Sequence, residues 1–226
     1  MADAFSAIAQ SYDRWYDEPE GASVFAAELE CLRAVMPEVE GPWLEIGVGT
    51  ARFAAALGIR HGLDPSTDML RIAAGRGVYA MRGRGETLPF ATNSFHGVLL
   101  VATLCFVEDA PQVLCEATRT LKPGGALLIG HIPADGPWGR AYARRAASGH
   151  PLYSRAHFTT AVELVRLATD AGYTLQRAAA TLFHEPGSPP APVRVEPGIA
   201  SGAGFLALAF APTRLRPGEA PDTHEV

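Results

Sequence analysis

Residues 43–53 have the sequence Trp43-Leu44-Glu45-Ile46-Gly47-Val48-Gly49-Thr50-Ala51-Arg52-Phe53. The first four predict a short buried strand, and the two glycines allow the backbone to turn sharply and to approach a ligand where a side chain would collide. A helix is predicted to begin near Thr50. Asp64 follows Gly49 by 15 residues, after a second predicted strand over residues 59–63. A carboxylate at that strand end is placed to accept hydrogen bonds from a ribose diol, so the pattern predicts a nucleoside site.

Two features of the same run distinguish between nucleoside cofactors. In the dinucleotide pattern G-x-G-x-x-G, the third glycine would fall at Arg52. The glycine that lets the helix approach a pyrophosphate closely is therefore missing. Glu45 lies two residues before the first glycine, where a carboxylate would repel a diphosphate but suits a ligand with an ammonium group. A nicotinamide-dependent oxidoreductase is therefore an alternative that these residues disfavour.

Three segments carry a resemblance to a known family. The run from Glu45 to Thr50 resembles the first motif, E/D-x-G-x-G-x-G, of class I S-adenosylmethionine-dependent methyltransferases, with Ala51 in place of the last glycine. At the expected distance, residues 83–90 are similar to the family's G-D-A-E-x-L-P-F segment, and residues 94–96 are similar to its S-F-D. Arg84 and His96 replace the acidic residues that the family usually has at these positions.

The N-terminal region is predicted to form two helical pieces over residues 4–36, joined at residues 18–21, with Ser23 as the cap of the second piece. The first piece carries three aromatic residues in the run from Tyr12 to Asp17. From the residues alone, this is a surface helix packed by its rings. It also resembles the Y-D-x-W/F-Y/F lid that many small methyltransferases of the ubiquinone and menaquinone biosynthesis type, the type 11 branch, fold across the cofactor. That resemblance implies that Tyr12 and Trp15 close the methionine end of the cofactor and exclude water.

The resemblance implies S-adenosyl-L-methionine as cofactor and S-adenosyl-L-homocysteine as product. Besides the two lid aromatics, it implies contacts from the glycine turn, from the end of the second strand, from residues 83–90 and from the end of a fourth strand over residues 98–103. These residues are Glu45, Gly47, Gly49, Thr50, Phe53, Asp64, Pro65, Ser66, Met69, Gly85, Glu86, Leu88, Thr103, Leu104 and Phe106. Arg84 would either stack on the adenine or point to solvent.

Polar and aromatic residues accumulate over residues 131–158, after a fifth predicted strand. An insertion there lies above the carboxyl edge of the sheet, and we expect it to form the substrate cap. Its histidines lack the spacing of a metal-ligand pair and no cysteine or carboxylate cluster joins them, so no metal site is predicted. The candidates for a catalytic residue are His131, Tyr153 and His157, since transfer to a hydroxyl would need a proton acceptor.

The resemblance extends from Tyr12 to Phe210 and implies an α/β fold, a Rossmann-like three-layer sandwich. Its seven-stranded sheet would be mostly parallel, with an antiparallel C-terminal hairpin strand. Strands six and seven are predicted at residues 173–183 and 204–210, separated by a proline-rich loop, and the two glycines of residues 122–125 would supply the positive φ needed before strand five. The expected domains are a helical lid (1–40), a methyltransferase domain (41–211) and a flexible tail (212–226).

Composition sets the broad class of the protein. The chain has 226 residues, of which 48% are hydrophobic and 19% charged, enough for one sizeable core. A net charge of −5 and a pI near 5.8 argue against a general nucleic-acid binder. Three scattered cysteines suit reduced thiols, and neither a secretory signal nor a run of about 18 apolar residues is found, so a cytoplasmic location without a membrane span is expected.

The expected reaction is in-line attack of a small-molecule acceptor on the sulfonium methyl group, which needs alignment and a dry pocket more than covalent help. The acceptor atom, whether oxygen, nitrogen, carbon or sulfur, stays open, and we expect a monomer or homodimer with no nucleic-acid partner. Two alternatives stay open beside the oxidoreductase. One is a protein methyltransferase, and the other is a non-catalytic partner subunit that binds the cofactor, a role that the substitutions at Arg84 and His96 would allow.

Overall fold

The computed structural model describes residues 2–189 and 192–213, which form an eight-stranded sheet with helices on both faces. The strands are β1 (Trp43–Ile46), β2 (His61–Asp64), β3 (Tyr79–Arg82), β4 (Phe95–Val101), β5 (Leu121–His131), β6 (Tyr173–Thr181), β7 (Glu196–Pro197) and β8 (Phe205–Pro212). The helices are α1 (Ala2–Trp15), α2 (Pro19–Val35), α3 (Arg52–Ala56), α4 (Thr67–Ala74), α5 (Ala110–Thr120), α6 (Pro137–Ala147) and α7 (Ala161–Asp170), with 3-10 turns at Leu104–Phe106 and Tyr153–Arg155.

The sheet confirms the predicted Rossmann-like α/β class. Its order is β3-β2-β1-β4-β5-β8-β6-β7; strands β1 to β5 run parallel, and β8 runs antiparallel between β5 and β6. The sheet has eight strands rather than the predicted seven, because two residues of the proline-rich loop pair with Ala179 and Ala180 of β6. Pro197 is tolerated there since β7 is an edge strand.

The core divides between the two faces of the sheet. On one face, Leu99 of β4 packs in a cluster with Leu32 of α2 and Phe53 of α3. On the other face, Val98 packs in a cluster with Leu114 of α5 and Leu164 of α7. Both faces of β4 are thus covered, which explains why its sequence is continuously apolar rather than alternating.

Two local predictions are wrong. Helix α2 begins at Pro19, not at a Ser23 cap, because the fixed φ of proline suits the first helical position and Glu18 already lies before the helix in an extended conformation. The turn predicted over residues 122–125 lies inside β5, and of its two glycines only Gly124 has a positive φ, at 79°. Strand β5 follows α5 directly at Leu121, and the residues after it bulge out before Ala126 resumes pairing with β4.

The carboxyl ends of β1 and β4 adjoin where the strand order reverses, which is where open α/β sheets bind ligands. Helix α1 packs against α4 on this side of the molecule. Among the described helices, none combines the length and apolar character needed to cross a membrane. From residue 214 on, the predicted tail falls outside the described residues.

Candidate functional site

The turn after β1 is fastened to the end of β2 by backbone hydrogen bonds. The N–H groups of Gly47 and Val48 donate to the carbonyl of Leu63 at 2.7 and 3.0 Å. The N–H of Gly49 donates to Oδ2 of Asp64 at 3.0 Å, and Oδ1 of the same carboxylate accepts from the N–H of Ser66 at 2.8 Å. Asp64 therefore fixes the geometry of the turn as well as presenting oxygens beside it.

Residues of the turn take left-handed backbone conformations. Gly47 and Gly49 have φ of 72° and 51°, and a Cβ on Gly47 would overlap the side chain of Thr103. Ala51 adopts φ 65°, although a left-handed conformation costs a residue with a Cβ about 1–2 kcal/mol. The alanine in place of the motif's last glycine thus leaves the turn intact at some cost in stability.

Glu45 is a buried carboxylate with an unsatisfied oxygen. Its side chain is 2% exposed, and its Oε2 has no hydrogen-bond partner among the described residues. Burial raises the pKa of Glu45 well above its ordinary value; a hydrogen bond from the Ala54 backbone opposes this rise, and the nearby charge of Asp64 adds to it. Because an unpaired buried carboxylate is costly, this oxygen is suited to a cationic ligand group.

A cavity of about 670 Å³ extends from this corner between α1 and α6. Most of the predicted cofactor contacts line its wall, as does one of the predicted catalytic candidates, Tyr153. The contacts in the wall are Tyr12, Trp15, Glu45, Gly47, Gly49, Thr50, Phe53, Asp64, Pro65, Met69, Gly85, Glu86, Thr103 and Phe106. One continuous space therefore joins the glycine turn to the segment predicted to cap the substrate.

Three predicted contacts lie outside the wall. Ser66 is fully buried and caps α4, where its Oγ accepts from the N–H of Met69 at 3.3 Å. Leu88 and Leu104 pack in the core below the cavity, because their side chains point toward the α5 side of the sheet. These three side chains serve packing or capping, although neighbouring residues of their segments line the cavity.

The two predicted catalytic histidines also lie outside the wall. His131 is 6% exposed, and its Nε2 lies 2.9 Å from the carbonyl of Thr159. Burial, only partly opposed by that carbonyl and by Asp135, lowers the pKa of His131 to about 4, so the ring is neutral at pH 7. The backbone N–H of His157 donates to the carbonyl of Cys105 at 2.7 Å, which ties the end of the cap segment to the turn after β4.

Further wall residues were not singled out by the sequence analysis, although four of them lie in the predicted substrate cap. His150 lines the cavity with its ring 4.6 Å from that of Tyr153. Tyr142, Trp138 and Arg145 of α6 also line it. Glu28 of α2, which is 7% exposed, also lines the cavity. The sequence did contain a signal for Glu28: it is an acidic residue on the apolar face of a predicted helix. It lies one turn from Val24 and one turn from Leu32, both of which are buried.

The two departures from the family motifs lie at different places. Nη2 of Arg84 lies 3.3 Å from Glu86 and 2.8 Å from Glu108, and its side chain is 52% exposed, so it forms an ion-pair cluster at the rim. His96 lies at the amino end of β4, opposite to the glycine turn, where its backbone N–H donates to the carbonyl of Pro42 at 2.8 Å. Neither substitution places a side chain across the cavity.

A cluster of charges fastens α1 to the glycine turn. Oδ1 of Asp13 lies 2.9 Å from Nε of Arg52, and its Oδ2 lies 2.9 Å from Nη2 of Arg76. Arg76 also donates to the carbonyl of Thr50 at 2.8 Å. Burial acts to raise the pKa of Asp13, but hydrogen bonds from Arg52, Arg76 and Thr50 outweigh it and lower the pKa to about 2.

An Asp13→Asn variant tests this cluster. Since the folded-state pKa lies below the ordinary value of about 3.9, Asp13 stabilises the fold above pH 4, and this stabilisation is lost as the pH falls toward 2. We expect the variant to lose about 1–2 kcal/mol at pH 7, allowing for partial screening, and to show a shallower decline at acid pH. Urea unfolding at a series of pH values between 7 and 2 measures both the loss of stability at pH 7 and the slope of the decline at acid pH.

The matched control is Asp68→Asn, which breaks an exposed ion pair with Arg71 on α4. It should change the unfolding free energy by less than about 0.5 kcal/mol. Equal losses for the two variants, or parallel acid declines for the Asp13 variant and the parent protein, would contradict a special role for the α1 cluster.

Comparisons with known proteins agree with this geometry. A family model described as a methyltransferase domain matches residues 44–129. An uncharacterized protein of Mycobacterium tuberculosis is 44% identical over 201 residues, 88% of this chain and 70% of that protein. Demethylmenaquinone methyltransferase of Tropheryma whipplei is 37% identical over 97 residues, 38% of this chain and 39% of that enzyme.

Among solved structures, one from Thermotoga maritima is similar over most of its length. It is a SAM-dependent methyltransferase and possible histamine N-methyltransferase, with a TM-score of 0.84 and 33% sequence identity. The match covers 93% of this chain and 99% of that one.

Proposed function

The chain belongs to the class I S-adenosylmethionine-dependent methyltransferases, in their type 11 branch, and from this we propose that it transfers a methyl group to a small-molecule acceptor by in-line attack. S-adenosylmethionine is accordingly its cofactor. When bound, this cofactor supplies a methyl group already activated by the positive sulfur. The protein's own contribution is then alignment of the acceptor and exclusion of water.

One observation carries the proposal. The unsatisfied oxygen of Glu45 and the carboxylate of Asp64 stand at the carboxyl ends of adjacent strands and line one cavity. An adenosyl amino acid has an ammonium group that can pair with Glu45 and a ribose diol that can donate to Asp64. The turn at Gly47 and Gly49 lets the protein backbone approach such a ligand closely. A diphosphate would meet two buried carboxylates instead, so the site's charge fits the family and disfavours a dinucleotide.

The enclosure of the cavity favours a small acceptor over a protein side chain. Helix α1 supplies Phe5, Tyr12 and Trp15 to its wall, which supports a lid role for residues 1–40. Helix α6 supplies Trp138 and Tyr142, which supports a cap role for residues 131–158. Such aromatic walls leave room for a molecule beside the cofactor rather than an open groove for a polypeptide.

A non-catalytic partner subunit is the second candidate function. The substitutions that suggested it are Arg84 in the rim cluster and the half-buried His96, and neither fills the cavity. The cavity's continuity from the glycine turn to the cap favours an active transferase.

Two measurements test the proposal. Calorimetry should show binding of S-adenosylmethionine and none of NAD, and the reverse result would overturn the cofactor assignment. Transfer of a radiolabelled methyl group to a panel of amines, alcohols, phenols and thiols should then label at least one acceptor. Cofactor binding with no labelled acceptor and no labelled protein in the reaction would favour the partner-subunit function.

A further inference from the structure

Glu28 is a buried acid without a partner. It lies in the middle of α2, between the buried side chains of Val24 and Leu32, and is 7% exposed. In the described part of the chain no hydrogen bond or ion pair engages its carboxylate, and burial raises its pKa to about 8. An acid kept in such a place destabilises the empty protein, whereas an apolar residue would pack there without cost.

The surroundings of Glu28 are phenol rings. The hydroxyls of Tyr12 on α1 and of Tyr16, in the turn just after it, are 3.1 Å apart. On α6, Tyr142 is stacked on Tyr153 with ring centroids 4.3 Å apart. All four phenols line the same cavity wall as Glu28. Burial is the main cause that raises the pKa values of Tyr12, Tyr16 and Tyr142, and the nearby Glu28 carboxylate adds to each rise.

This combination favours a cation. The faces of aromatic rings attract organic cations, and a buried carboxylate adds a charge-assisted hydrogen bond to an ammonium group. Four arginines line the same wall, and among the described residues none forms an ion pair with Glu28; Arg145 lies 5.9 Å from the ring centroid of Tyr142. The carboxyl group of Glu28 is therefore available to a ligand, and a bound ammonium group would favour its ionised form.

The position of Tyr12 places this group of residues next to the methyl donor. Tyr12, Glu28 and Glu45 line one cavity. After the larger effect of burial, the charges of both acids add to the raised pKa of Tyr12. Glu45 faces the amino acid part of the cofactor in the proposed function. A ligand held by Glu28 would consequently lie beside the end of the cofactor from which the methyl group leaves.

We propose that the methyl acceptor is a small organic amine, held as its ammonium ion by Glu28 within the rings of Tyr12, Tyr16, Tyr142 and Tyr153. The proposal rests on the proposed methyltransferase function. Before transfer, the ammonium group gives one proton to the Glu28 carboxylate, which frees the nitrogen lone pair. The nitrogen then forms a bond to the methyl carbon as the carbon–sulfur bond breaks, and the electron pair of that bond stays on sulfur.

The raised pKa of Glu28 suits this step. A carboxylate with an ordinary pKa would take a proton from an ammonium group only against a large free-energy difference, whereas a buried one is a stronger base. After transfer, the methylated nitrogen carries the positive charge and Glu28 holds the proton. Loss of that proton to solvent restores the carboxylate, which pairs with the methylated ammonium ion until the product leaves.

The test uses 2-phenylethylamine and benzylamine, each beside the alcohol of the same size, and phenylacetate as an anionic probe. With the full chain saturated with S-adenosylhomocysteine, calorimetry should show at least one amine binding tenfold or more tightly than its alcohol. Equal binding of amines and alcohols, or tighter binding of an alcohol or of phenylacetate, would overturn the proposal.

Glu28→Gln removes the charge at nearly the same volume, and Glu30→Gln is the matched control on the exposed face of α2, where Glu30 pairs with Arg33 at 2.8 Å. The Glu28 variant should lose the tenfold preference for the amine, and the Glu30 variant should keep it. Retention of the preference by Glu28→Gln would also overturn the proposal. Both variants should bind S-adenosylmethionine like the parent protein; absence of cofactor binding in the parent protein would count against the proposed function instead.

Discussion

An Asp64→Ala variant is expected to bind S-adenosylmethionine at least tenfold more weakly than the parent protein. The carboxylate stands at the end of β2, where the ribose hydroxyls of the cofactor would donate to it, and hydrogen bonds to a charged acceptor are worth about 1.5–3 kcal/mol each. The variant also removes the acceptor for the N–H groups of Gly49 and Ser66, which loosens the glycine turn. Calorimetry with the cofactor measures the change in affinity.

Two variants separate ribose binding from folding. Asp64→Asn keeps the side chain volume and one oxygen but loses the charge and one acceptor for the N–H groups of Gly49 and Ser66, so it should also lower affinity, with a smaller loss of stability than Asp64→Ala. Asp68→Ala, on the exposed side of α4, should leave the cofactor affinity unchanged. Unchanged affinity in both Asp64 variants would remove this residue from ribose recognition.

A Glu45→Gln variant should discriminate between parts of the cofactor. We expect its affinity for S-adenosylmethionine to fall at least tenfold, because the unsatisfied Oε2 loses the charge that pairs with the amino group. Affinity for 5′-methylthioadenosine, which lacks the amino acid end, should change by less than twofold. Calorimetry with both compounds gives the comparison within a single protein.

The titration of Glu45 gives a second measurement. Its pKa is raised by burial in the free protein, and a bound ammonium group would favour the ionised form. Binding should therefore release protons near neutral pH, and the affinity should rise as the pH increases. Calorimetry in buffers with different ionisation enthalpies detects the release. Proton uptake, or equal losses for both ligands in the variant, would contradict the assignment of Glu45 to the amino group.

The glycine turn and its two carboxylates could be predicted from sequence because the relevant physics is local. Gly47 and Gly49 permit backbone conformations that few other residues adopt, and the end of a parallel strand has a known place in an open sheet. The direction of single side chains is less predictable. Leu88 and Leu104 lie in segments that reach the site, yet packing turns both toward the core.

Other features depend on contacts between distant parts of the chain. Strand β7 contains only Glu196 and Pro197, which have little strand propensity and pair because the edge of β6 is available. Glu28 lines a cavity whose wall is shared with α1 and α6, so its position there could only be seen in the tertiary structure. His131 was attractive as a base from its position after β5, but burial against Thr159 leaves its ring neutral and engaged.

The ion pairs that hold α1 against the glycine turn bear on how residues of the cavity wall could be exchanged. This helix contributes Phe5, Tyr12 and Trp15 to the wall, and Asp13 joins it to Arg52 and Arg76 beside the glycine turn. Replacing α1 with the corresponding helix of a relative, while keeping Asp13, would change the side chains that this helix contributes to the cavity wall. It would leave the sheet unchanged. Chimeras that carry the first helix of a homologue are thus a direct route to altered substrate range.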